Sequence, residues 1–159
     1  MSNLKLFSGL ALSIGALAVD AGAQSRAPAN CTYQQCALGL KPVWNGLSIT
    51  RGESERQIAN LGFFWPEDVS GVFSGNESAV AAAADAVRVR QVAAVLTDAG
   101  IVLLGTGIAR AGFQRDFDRL STVLTLVGAT SLGVSVPFQF AADGFLSRAV
   151  WLYNSRFSP

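Results

Sequence analysis

The sequence predicts a mainly α-helical chain: a cleavable signal peptide, a small ectodomain with a short β-hairpin, a two-helix transmembrane hairpin and an amphipathic C-terminal helix. Three observations predict it. The first residues are organised as an export signal, two cysteines follow that signal closely, and two apolar runs of bilayer length occupy the second half. Composition points the same way. Charged residues make up 14% of the 159 and hydrophobic residues 50%, with a mean hydropathy of +0.37, whereas soluble domains carry about 25% charge. A net charge of +1 supplies no basic surplus for a phosphate backbone, so nucleic acid is not an expected partner.

The leader, residues 1–23, begins with a short segment carrying Lys5, continues through the uncharged Leu6 to Val19, and ends in Ala21-Gly22-Ala23 before Gln24. This is the three-part pattern of a secretory signal. Its apolar part falls short of the roughly 20 residues a spanning helix needs. The ectodomain is placed at residues 24–78. In NCTYQQC, Cys31 and Cys36 are expected to pair, because an exported chain meets an oxidising compartment. Their spacing differs from that of Cys-x-x-Cys redox sites. Asn45-Gly46, between Trp44 and Leu47, signals a tight turn and a β-hairpin near residues 40–50. Ser54 three residues before Gln57, with Gly62 beyond, has capping-box spacing and predicts a short helix over 55–61. In GFFWPEDVSGVF, Phe63, Phe64, Trp65 and Phe73 read as a core cluster, with Trp65 also suited to a membrane–water interface.

A helical hairpin is placed at residues 79–142. The alanine-rich SAVAAAADAVRVRQ has helical spacing and no breaker until Gly100, and leads into the first apolar run. Spans are predicted over about 91–110 and 120–140. The second run, Leu120 to Ala142, is uncharged and would reach about 34 Å as a helix, enough for a hydrocarbon core of about 30 Å. The connecting RAGFQRDFDR is placed on the cytoplasmic side by export of the N-terminus. Small residues recur at every fourth position in Ser121, Thr125, Ala129 and Gly133, and again in Gly105 and Ala109. Helices in lipid associate through such small residues, so these six are the expected packing face. Asp98 is the one carboxylate within a predicted span. An intramembrane ionisable residue suggests a functional site by default, but with no second carboxylate, lysine or histidine at that depth, a structural hydrogen bond to Thr97, Thr106 or the other helix is the favoured reading.

Pro137 is expected to kink or end the second helix, with Phe138 and Phe140 near the outer interface. Residues 143–159 are then an amphipathic helix with Asp143 as N-cap. Trp151 and Tyr153 join Trp65, Phe138 and Phe140 as candidate interface aromatics, and docking of this helix on the ectodomain is favoured over lying on the lipid surface.

The chain contains no histidine, which excludes the usual catalytic triads and the common zinc and haem ligand sets. No phosphate-binding loop or nucleophile elbow occurs, and the close carboxylate pairs lie among polar turn residues. No enzyme, cofactor or metal site is expected. The reading is a small exported integral membrane protein of a bacterial inner membrane, mostly periplasmic. It would have a structural or accessory role and join a homo-oligomer or larger membrane complex. Two alternatives stay open: a soluble periplasmic α-helical binding domain, and an oligomeric ion- or proton-conducting hairpin using Asp98.

Overall fold

The structure is a computed structural model that describes residues 31–157. The predicted signal peptide lies outside these described residues. A single turn of helix, α1 (Tyr33–Cys36), leads into a three-stranded antiparallel sheet of β1 (Leu38–Val43), β2 (Gly46–Arg51) and β3 (Arg56–Gly62), in the order β1-β2-β3. A 3-10 turn (Ser70–Phe73) then carries the chain to two long antiparallel helices, α2 (Glu77–Gln114) and α3 (Arg119–Asn154). Cys31 and Cys36 are joined as a disulfide across α1.

The β-hairpin forms where expected, but its turn sits one residue earlier. Val43 pairs with Gly46, leaving Trp44-Asn45 as the turn. Gly46 has φ 141°, and a Cβ there would run into the backbone at Leu61 and Gly62, so the glycine serves the sheet rather than the turn.

The predicted helix over 55–61 is instead β3. Seven residues are too few to hold a helix without packing. As a strand, the segment pairs with β2 from Gly46↔Gly62 to Arg51↔Arg56 and buries Leu61 beside Ile49. Ser54 belongs to the tight connection between the strands, where Gly52 and Glu55 take positive φ of 66° and 48°.

α2 opens with Asn76, whose Oδ1 accepts from the Ala79 N–H at 3.1 Å while its Nδ2 donates to the Leu152 carbonyl at 2.8 Å. One side chain thus caps α2 and ties it to the end of α3. Arg115 closes α2 in the left-handed conformation at φ 55°, and Asp118 caps α3 by accepting from the Ser121 N–H at 2.8 Å.

Residues 143–159 do not form a separate helix, because α3 runs through Pro137 to Asn154. The proline removes a hydrogen bond to the carbonyl four residues back and crowds it. That residue is Gly133, where an added Cβ would meet nothing within 4 Å, so no other element is packed there to resist the adjustment. Asp143 is accordingly a mid-helix residue rather than an N-cap.

The core lies where the sheet packs on the upper halves of the two helices. Ile49, Leu61, Val69 and Phe73 meet the alanines of early α2 and Leu146, Ala149 and Tyr153 of late α3. Phe73 and Tyr153 stack edge to face with centroids 6.0 Å apart, and Tyr153 is therefore a core residue rather than an interface aromatic. Asn154 completes the join: its Oδ1 accepts from the Leu38 N–H and its Nδ2 donates to the Leu38 carbonyl, both at 2.8 Å. The amide stands in for a neighbouring strand at this point, with a net value of about 1 kcal/mol per bond.

Candidate functional site

Beyond the sheet, α2 and α3 continue as a bare pair. The inward positions on α2 are Ala93, Thr97, Gly100, Leu104, Gly107 and Ala111, and on α3 Ser121, Thr125, Gly128, Leu132, Ser135, Gln139 and Ala142, all buried or half-buried. Their steps alternate four and three, an average of about 3.5 residues that gives two supercoiled helices a continuous seam.

The four-residue stripe expected from the sequence therefore coincides with the seam only at Ser121 and Thr125. Each four-residue step overshoots a helical turn by about 40°, so Ala129 and Gly133 have rotated out to exposed positions. Gly105 and Ala109 are exposed as well, since the α2 seam passes through Leu104 and Gly107, and nothing lies within 4 Å of a Cβ built on Gly105 or Gly133.

Close approach is made by three other glycines. A Cβ on Gly128 would run into the Leu104 backbone nitrogen and lie 2.8 Å from both the Gly100 carbonyl oxygen and Leu104 Cα, and one on Gly107 would meet Thr125 N at 2.8 Å and the Ser121 oxygen at 2.9 Å. Backbone touches backbone at these layers, which is how small residues hold helices together without large side chains. Gln139 Nε2 donates across the seam to Thr97 Oγ1 at 3.4 Å, and Thr97 itself donates to the Ala93 carbonyl at 2.8 Å.

Two inter-helix ion pairs bracket this segment. Arg90, with a side chain 0% exposed, pairs with Asp143 near the sheet, and the Phe63 ring covers its guanidinium with the centroid 5.1 Å away. At the connecting end Arg110 Nη2 lies 2.7 Å from Asp118 Oδ2, and its Nε approaches both carboxylate oxygens. The Arg110 hydrogen bond, reinforced by the Ser121 backbone N–H, holds the Asp118 carboxyl well below the usual carboxylate range. Twenty residues of α2 separate Arg90 from Arg110, about 30 Å of helix.

Between the pairs the outer surface is apolar on both helices. Val95, Val102, Ile108, Leu126, Val134 and Phe140 are all exposed. α2 and α3 are both long and apolar enough to cross a membrane, and only 28% and 17% of their most apolar windows are buried. Apart from Arg119 at its edge, Asp98 is the single charge on this surface. It is exposed and points away from the seam, so Thr97 and Thr106 bond instead to the backbone carbonyls of Ala93 and Val102.

The expected aromatics separate by height. Phe138 and Phe140 lie exposed on the apolar surface and Trp151 is exposed beside the sheet. The Phe63–Phe73 stretch divides as well: Phe73 is buried in the core, whereas Phe64 and Trp65 are exposed.

Sequence reading missed Arg90, Asp143 and the glycines at 100, 107 and 128. The signal was present in the four-three alternation and in the charges that end both apolar runs. Comparison with protein-family models, with curated proteins and with solved structures found no match to this chain.

Proposed function

We propose that the protein is a small integral membrane protein in which the two-helix hairpin is a transmembrane anchor and the disulfide-closed sheet unit stands on the outer, periplasmic side. Its role is structural or accessory: it presents that unit at the membrane surface and offers outward helix faces to a second copy or a larger membrane complex.

One observation carries the reading. Apolar side chains lie exposed around both helices over the roughly 30 Å between the Arg90–Asp143 and Arg110–Asp118 pairs, which matches a hydrocarbon core of about 30 Å. In water this would be an apolar surface far larger than the few hundred Å² that soluble monomers expose.

The low burial of both helices speaks against a soluble domain whose core they would form. A lone hairpin encloses no pathway, and Asp98 faces away from the seam, so the alternative of ion or proton conduction requires an oligomer that encloses Asp98 between copies. Alkaline carbonate washing of membranes from expressing cells tests the anchor. Retention in the pellet is expected, and release of the folded protein into the supernatant would contradict it.

A further inference from the structure

Two turns of the sheet unit expose aromatic side chains at the same end of the molecule. Trp44, in the β1–β2 turn, is 89% exposed, and Trp65, just beyond β3, is 84% exposed beside the partly exposed Phe64. The Phe63 N–H donates to the Asn45 carbonyl at 2.7 Å, and Leu61 bridges to Pro66, so the two turns form one tip.

The direction of this tip follows from contacts at both ends of the sheet. Leu38, at one end, is held by Asn154 at the end of α3. Phe63, at the other, lies on the Arg90 guanidinium, the first ion pair of the apolar belt. The lengths agree: six-residue strands cover about 20 Å, and the thirteen residues from Glu77 to Arg90 cover about 20 Å of helix. The strands run beside the upper helices and end level with the top of the belt.

We propose that this tip is a second membrane contact, with Trp44, Phe64 and Trp65 seated at the headgroup–acyl boundary of the outer leaflet. The proposal rests on the transmembrane reading given above. Its occupant is lipid because the tip continues the apolar belt at its rim, where amphipathic rings collect at a bilayer surface. The charged groups near this level are Arg88, exposed beside Asp85, and the exposed carboxylates Glu67 and Asp68 that follow Trp65, so the contact rests on the aromatic rings and not on attraction to the phosphates. Two contacts, the hairpin and the tip, would fix the sheet unit's orientation on the membrane.

The test uses the full chain in phosphatidylcholine vesicles containing lipid brominated near the headgroup end of the acyl chains, which quenches tryptophan on contact. Three variants each keep one of the native tryptophans and carry Trp→Phe at the other two. A fourth carries Val95→Trp, exposed on the belt about 8 Å below Arg90 by helical rise, with all three native tryptophans replaced. Trp44 and Trp65 should fall to roughly half their emission or less, while Trp151, about 12 Å above the Arg90–Asp143 level by helical rise, should change by less than about a tenth. If the Val95→Trp variant is quenched but Trp44 and Trp65 are not, the tip faces water or a protein and the proposal is overturned with the anchor intact. If none of the positions is quenched, the anchor and the proposal fall together.

Discussion

Gly128→Ala, compared with Gly133→Ala, tests the seam most sharply because the two sites lie on one helix five residues apart. At Gly128 the new Cβ would collide with the Leu104 backbone nitrogen and sit 2.8 Å from two further backbone atoms of α2, whereas an ordinary contact begins at 3.4 Å. The helices must therefore separate by about 1 Å at that layer, loosening the neighbouring layers at Gly100 and Gly107. Overpacking of this kind costs about 1–3 kcal/mol, and the roughly 1 kcal/mol gained in helix propensity offsets only part of it. At Gly133 nothing lies within 4 Å, so only the propensity gain of about 1 kcal/mol at most remains. Unfolding of the micelle-bound protein by added SDS, followed by circular dichroism and tryptophan emission, reads both. Gly128→Ala should move the transition to lower SDS and Gly133→Ala should leave it unchanged or raise it. Equal destabilisation at both sites, or none at Gly128, would refute the four-three register.

Other outcomes follow from the same geometry. Asp143→Ala leaves the fully buried Arg90 without its counter-charge and should cost about 3 kcal/mol in the same titration, the lower end for a broken buried pair because Asp143 is partly exposed. The double variant Arg90→Met/Asp143→Leu should recover most of that loss; no recovery would mean the pair does more than neutralise itself. Reduction of Cys31–Cys36 opens a short loop and should lower the stability of the sheet unit by about 2 kcal/mol on the chain-entropy account, read as a fall in thermal midpoint with dithiothreitol. The depressed Asp118 carboxyl binds protons more weakly folded than unfolded. Its contribution is thus complete above the unfolded value of about 4 and fades as pH falls below it toward the folded value. Protection of the Ser121 amide against exchange, corrected for the intrinsic rate, should be constant from pH 7 to about 5 and decline under about pH 4; a decline centred near neutrality would remove Asp118 as its cause.

Much of the architecture is legible in the sequence because long apolar runs leave few choices. The helical hairpin, the β-hairpin at 40–50 and the Cys31–Cys36 pairing all follow from run length, turn chemistry and cysteine spacing. β3 does not, because Ser54 and Gln57 have helix-start spacing by coincidence, and only pairing with β2 decides the conformation of so short a segment. The continuity of α3 is hidden by Pro137, whose cost depends on the space around Gly133. The packing seam was partly visible: Ser121 and Thr125 belong to it, but a four-residue repeat drifts around the helix while a four-three alternation stays on one side. Arg90 looks like a surface cation beside Arg88 in the one-dimensional pattern, and its burial depends on Asp143 and Phe63 arriving from distant segments.

The proposed transmembrane hairpin puts the sheet unit and the Arg115–Asp118 connection on opposite sides of a membrane. Cysteine accessibility in intact cells tests it directly, in a Cys31→Ser/Cys36→Ser background carrying either Gln114→Cys or Ser155→Cys. Both positions are exposed and lie at opposite ends of the hairpin. An impermeant maleimide should label position 155 in intact cells and position 114 only after the membrane is opened. Labelling of both positions in intact cells would place both ends of the hairpin on one side and contradict the transmembrane arrangement.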